Sequence, residues 1–139
     1  MKHLSFEEAT ALYEPAVGIE VHVELNTDSK IFDGAPVVFG AQPNTALAPV
    51  SAGLPGALPV MNVGVLESAI KLGLALNCDI AQQTAFARKH YFYPDLPKAY
   101  QTTQASNPIA ENGWVEVEVQ GEEPFRVGIE RAHMEEDAG

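Results

Sequence analysis

Pro36, Pro43, Pro49, Pro55 and Pro59 recur through the stretch from Ile31 to Pro59, and they set the first limit on the fold. Each fixes its own φ and removes a backbone donor, so neither a long helix nor a central strand can run through them. Glycine and alanine fill much of the space between. The stretch reads as an ordered, winding loop anchored by Phe32, Val37, Val38, Phe39, Leu47 and Leu54. Regular structure must therefore come from the two flanks.

Upstream, Ser5-Phe6-Glu7-Glu8 has capping-box spacing and predicts a short helix reaching Tyr13. From Glu14 to Leu25 the pattern changes to a period of two. Val17, Ile19, Val21, Val23 and Leu25 share one face, and Gly18, Glu20, His22 and Glu24 the other, which predicts a half-buried strand. Downstream, Asn62 caps an apolar-faced helix running to about Asn77. Gln82 to Tyr93 is strand-like. Trp114 to Val119 and Phe125 to Met134 alternate around a turn at Gln120 to Glu123, a hairpin signal. Strands outnumber helices and successive strands can pair directly, so the expected class is α+β with a largely antiparallel sheet and flanking helices.

The chain has 139 residues, 46% hydrophobic and 19% charged, a globular composition sufficient for one domain or part of one. Net charge is −11. An RNA-gripping surface needs clustered cations, and the eight Lys and Arg residues are scattered except at Arg88-Lys89-His90. This stretch is not expected to be a main RNA-binding surface. No apolar run approaches the ~20 residues of a membrane span, and the start has no signal-peptide pattern, so a cytoplasmic protein is the expectation. The charged run from Glu130 to Gly139 ends without a linker or a closing helix, which suggests a fragment of a longer protein. Cys78 is the only cysteine, so internal disulfides and cysteine zinc clusters are excluded; it reads as a small buried hydrophobe.

Three groups of residues could carry chemistry. Glu20, His22 and Glu24 stand in a row about 7 Å apart if the strand forms. Such a row suits a hard cation or acid–base work, but it also suits a solvated sheet face. Lys89, Tyr91 and Tyr93 share a face and could meet a phosphate, or could line an edge strand. Glu135, Glu136 and Asp137 could crowd a divalent metal or form an exposed acidic turn. There is no Walker-type loop and no GxGxxG.

Six strings, read together, add a resemblance. They are Gly18-Ile19-Glu20-Val21-His22-Val23-Glu24-Leu25, Phe39-Gly40-Ala41-Gln42-Pro43-Asn44-Thr45, Leu54-Pro55-Gly56-Ala57-Leu58-Pro59-Val60, Arg88-Lys89-His90-Tyr91-Phe92-Tyr93-Pro94-Asp95-Leu96-Pro97-Lys98, Ile109-Ala110-Glu111-Asn112-Gly113 and His133-Met134-Glu135-Glu136-Asp137-Ala138-Gly139. In order and in register, they resemble the B-subunit family of tRNA-dependent amidotransferases.

The resemblance implies that 1–139 is the N-terminal part of a catalytic domain of the glutamine synthetase/guanidino kinase type. Helical and tail tRNA-binding domains are expected beyond Gly139. It implies ATP- and Mg2+-dependent conversion of misacylated Glu-tRNA(Gln) or Asp-tRNA(Asn). The partners it implies are a glutamine-hydrolysing amidase (the A subunit) and a small third chain (the C subunit). It implies metal positions at Glu20, His22 and Glu135, with Glu136 as a neighbour, and Lys89 and Tyr91 as contacts for the transferring phosphoryl group. Many family members hold a structural zinc through two cysteine pairs. Here those positions read Asp33-Gly34-Ala35 and Ala48-Pro49-Val50-Ser51, so no zinc is expected. Two other readings stay open: a scaffold without catalysis, and a kinase-like enzyme that ignores tRNA.

Overall fold

The computed structural model describes residues 3–94, 96 and 98–137, and it is an α+β structure. Helix α1 is Phe6–Leu12 and helix α2 is Val63–Ala75. The strands are β1 (Asp79–Ile80), β2 (Ala87–His90), β3 (Tyr100–Thr103), β4 (Ala110–Val117) and β5 (Phe125–Ala132). They form a three-stranded sheet in the order β1-β4-β5 and a two-stranded ribbon, β2-β3. Every strand pair is antiparallel.

Local chemistry explains the helix ends. At α1 the Ser5 hydroxyl accepts from the Glu8 amide, and the Glu8 carboxylate accepts from the Ser5 amide. Asn62 caps α2 by accepting from the Gly64 amide at 2.9 Å, while its Nδ2 donates to the Ser29 carbonyl and hydroxyl. One amide thus starts the helix and ties down the preceding loop. At the other end Asn77 has φ 57, and the Asn77 and Cys78 amides bond to Leu74 O and Gly73 O. This is the Schellman ending, which satisfies carbonyls the helix leaves open. Leu76 O then accepts from the Trp114 amide at 2.9 Å, and Asn77 Nδ2 donates to Trp114 O at 3.0 Å, so the helix terminus is fastened to β4.

The core lies where α2 covers β1 and β4, with Val65, Ala69, Cys78, Ile109, Ala110 and Met134 buried together. Two glycines permit the close approach. A Cβ on Gly73 would come within 2.6 Å of Ile80 and 2.9 Å of Ala110; one on Gly113 would run into Cys78 Sγ and lie 2.7 Å from Leu76 O.

Gln104 joins the two sheets. It is 2% exposed, and its Oε1 accepts from the Ile109 amide at 3.0 Å and the Met134 amide at 3.1 Å. Its Nε2 donates to the Thr84 hydroxyl, which donates to Asn107 O. Losing the Gln104 oxygen would strand two buried donors, at about 1–3 kcal/mol each.

Two expectations are corrected. Residues 13–27 carry no strand, and Val17, Ile19, Val21 and Val23 are exposed. A strand is stabilised by its ladder and by cover on its apolar face; no described strand pairs with this one. Of the expected loop anchors only Phe32 is buried, edge-on to Phe86 at 5.0 Å; Val37, Val38, Phe39, Leu47 and Leu54 are exposed. Backbone bonds hold the loop instead. Lys30 N to Ala35 O and Val37 N to Asp28 O close its first turn, Leu54 N to Pro49 O its second, and Val60 N to Phe32 O and Asn62 N to Ile31 O its exit. Within the loop Asp33 Oδ1 accepts from the Ala35 amide and Ser51 Oγ accepts from the Ala48 amide.

Gly113→Ala is expected to destabilise the chain by about 1–3 kcal/mol through overpacking, read as a lower urea midpoint; an unchanged midpoint contradicts this packing. Burial pushes the Cys78 thiol up, and the Asp79 carboxylate beside it adds to the effect. At about pH 8 its alkylation by iodoacetamide is therefore expected to be far slower in the folded chain than in concentrated urea. Equal rates would show that the thiol is not held as described.

Candidate functional site

The β2-β3 ribbon places the residues of interest by register. Lys89 stands opposite Gln101, Arg88 opposite Thr102, and His90 opposite Tyr100. After β5 the chain crosses β3 once more, through a bridge between Thr103 and Glu135. Side chains alternate across a strand, so Lys89, Gln101, Thr103 and Glu135 share one face. Arg88, His90, Tyr100 and Thr102 share the other.

On the first face Lys89 Nζ lies 3.5 Å from Glu135 Oε1, and His133 Nε2 lies 4.0 Å from Glu135 Oε2. The Lys89 side chain is 57% exposed and that of Glu135 is 22% exposed. A cation, a carboxylate and an imidazole thus meet at an open surface. The ammonium can meet a phosphate as a point charge, while the carboxylate restrains it. Tyr91 follows on the strand and is half-buried.

On the second side Arg88 and His90 are exposed, while Lys98 and Glu136 are enclosed. Lys98 Nζ lies within 2.5 Å of both Glu136 carboxylate oxygens, and the two side chains are 7% and 12% exposed. The Lys98 ammonium also sits 4.9 Å from the centre of the Tyr100 ring, which Arg88 approaches at 5.2 Å. Glu136 Oε1 accepts from the Thr102 amide at 2.6 Å, the Glu136 amide donates to Thr102 O, and Gln101 Nε2 donates to Glu136 O at 2.8 Å.

The structure therefore brings Lys89, His133 and Glu135 together, with Glu136 directed to the opposite face. It does not bring Glu20 and His22 to them. Both are exposed and lie in the segment 13–27, which carries no strand, and among the described residues no three His, Cys, Asp or Glu side chains converge as a metal site. Gln101, Gln104 and Lys98 were missed by pattern reading. The signal for the two glutamines is the polar string Tyr100-Gln101-Thr102-Thr103-Gln104, which lacks apolar alternation yet is buried from Gln101 onward.

Comparison with known proteins gives a consistent result. The GatB/GatE catalytic domain family matches residues 15–139. A protein of Nocardioides sp., named as the B subunit of aspartyl/glutamyl-tRNA(Asn/Gln) amidotransferase, is 59% identical over 136 residues. Proteins of the same name from Paenarthrobacter aurescens and Streptomyces coelicolor are 59% and 57% identical. In each case the match covers 98% of this chain and 27% of the relative, so the chain spans about a quarter of the length of these relatives.

An exposed ion pair contributes little to stability, whatever its chemical use. A double-mutant cycle on unfolding with Lys89→Met and Glu135→Gln is expected to give a coupling of about 0–1 kcal/mol. A coupling above about 3 kcal/mol would show a buried structural pair instead.

Proposed function

This chain belongs to the GatB/GatE catalytic domain family, and we propose that the protein carrying it amidates misacylated Glu-tRNA(Gln) or Asp-tRNA(Asn) in an ATP-dependent reaction. The observation that carries the reading is the 59% identity, over a match that covers 98% of the chain, to proteins named as the B subunit of that amidotransferase. The name implies a multi-subunit enzyme. The proposed partners are the amidase chain and the small third chain of the complex, with tRNA-binding helical and tail domains beyond 1–139. The antiparallel α+β architecture is compatible with a glutamine synthetase-type catalytic domain. No helix of the described residues is long and apolar enough to cross a membrane.

The chemistry follows from the substrate. A carboxylate is a poor electrophile, so a side-chain carboxylate oxygen first attacks the γ-phosphorus of ATP. The bond to the β-phosphate oxygen breaks, giving an acyl phosphate and ADP. Ammonia then attacks the acyl carbon, and phosphate leaves with the former carbon–oxygen bonding pair as the nitrogen sheds a proton. Such a site must neutralise phosphate charge, align the reactants and exclude water.

Lys89 is the proposed group that neutralises the transferring phosphoryl, and Tyr91 is a proposed hydrogen-bonding contact. Glu135 restrains the ammonium of Lys89. Magnesium would add charge neutralisation. Its proposed ligands Glu20, His22 and Glu135 do not converge here, so no step is derived through the metal. Glu20 and His22 nevertheless remain proposed site residues.

The test is phosphate release from ATP by the full-length protein in complex with its partners. Release should require charged tRNA, and Lys89→Ala, Glu135→Gln and Glu20→Gln should each lower kcat on the order of 100-fold with assembly intact. Release that ignores tRNA would point to a kinase-like enzyme, and three silent substitutions would point to a scaffold.

A further inference from the structure

Helix α1 has an apolar side that is left uncovered. Phe6, Ala9 and Tyr13 recur at helical spacing with Leu12 beside them, while Glu7 and Ala11 lie opposite. Yet α1 buries none of its residues: Phe6 is 79% exposed, and Leu12 and Tyr13 are each 67% exposed. Seven residues are too few for a stable helix in water on propensity alone. The capping box at Ser5 therefore starts a helix that needs cover to persist. The GatB/GatE family match begins at residue 15, after α1, whereas the match to the relatives covers 98% of the chain and so takes in α1. These relatives thus carry residues aligned with α1, which the common domain of the family does not require.

We propose that α1 docks, by its Phe6, Leu12 and Tyr13 side, onto the part of this same protein that follows Gly139. Size selects this occupant. Two aromatic rings and a leucine bury on the order of 500 Å² on the α1 side, below the ~800 Å² per partner of a stable interface between separate chains. Within one chain so small a contact suffices, because loop closure opposes it and not the loss of a partner's free motion. Length supplies the surface: the chain covers 27% of the relatives that carry α1, so most of a protein of their size lies outside 1–139. Docking has a consequence for the segment 13–27. Its far end is already fixed, where Asn62 Nδ2 donates to the Ser29 carbonyl and hydroxyl and the Val37 amide donates to Asp28 O. Its near end is α1. With α1 seated, Glu20 and His22 are strung between two fixed points instead of one. The inference goes beyond the reaction proposed above and holds whichever substrate the protein takes.

The test uses the full-length protein assembled with its partner chains. In one form p-benzoylphenylalanine replaces Phe6 as a photo-cross-linker. Irradiation should join position 6 to a peptide that follows Gly139 in the same chain, identified by mass spectrometry, with no new species of higher mass on a denaturing gel. The second readout is amide hydrogen exchange across 6–13 in the parent, Phe6→Ser and Ala11→Ser. Serine and phenylalanine have similar helix propensities, so Phe6→Ser removes the docking side chain and little else. It should speed exchange in α1 by about tenfold or more, and exchange in 14–25 along with it. Ala11→Ser, on the opposite side, should change exchange by less than about threefold although it lowers propensity.

A cross-link to another chain overturns the proposal, whether that chain is a partner subunit or a second copy. So does a cross-link confined to 1–139, or none at all. The proposal also falls if Phe6→Ser leaves exchange in α1 within about twofold of the parent, since an undocked helix has no cover to lose. The cross-link result stands even where Phe6→Ser fails to assemble. Failure of the functional reading shows elsewhere, in phosphate release that needs no charged tRNA, and that outcome leaves the docking of α1 untouched.

Discussion

The side-chain amide of Gln104 is the joint on which the rest of this structure depends. Its oxygen takes two buried backbone donors, Ile109 at the entry to β4 and Met134 just past β5, and its nitrogen reaches the Thr84 hydroxyl ahead of β2. Three segments from different parts of the chain meet at one group. An apolar side chain of similar size could fill the volume but could not satisfy the donors, and unpaired donors at that depth are costly. The ribbon β2-β3 and the sheet β1-β4-β5 have no shared ladder, so this amide, the bridge at Glu135 and the bonds of Glu136 to Lys98, Gln101 and Thr102 set how they lie together.

The candidate site inherits its geometry from that joint. With the Met134 amide held, the chain leaves β5 along β3, and strand alternation sorts the next two acids. Glu135 is directed to the side where Lys89 and His133 stand; Glu136 is directed to the other, where Lys98 waits under Tyr100. Two lysines of one chemical type thus stand in different surroundings, one exposed and one enclosed. The exposed pair adds little stability and stays available to a ligand. The enclosed pair is fully engaged within the protein and orders the backbone.

Sequence patterns were most informative where a local rule decides the structure. The Ser5 capping box, the Asn62 cap and the β4-β5 hairpin form as read, because hydrogen bonding within a few residues fixes them. β3 was invisible because it buries polar side chains, Gln101 to Thr103, and Gln101 has its partner far away in sequence. The alternation of Val17 to Leu25 is a real two-faced pattern, but a strand is completed by a neighbour, and none of the described strands supplies one. The prolines excluded regular structure from the loop as expected. The choice of anchors went wrong because turns closed by backbone bonds left Phe39 and Leu54 in solvent. The grouping of Lys89 with Glu135 followed from the family resemblance; nothing in the spacing of residues 46 apart reveals it.

The most direct measurement of the central claim is amide hydrogen exchange at Ile109 and Met134 in the parent and in Gln104→Ala. If one side-chain oxygen joins the two sheets, both amides lose protection together and Glu136, bonded to Thr102 O, loosens with them. Loss at only one of the two, or unchanged protection at both, would show that the sheets are held by other contacts and that the site does not depend on this joint.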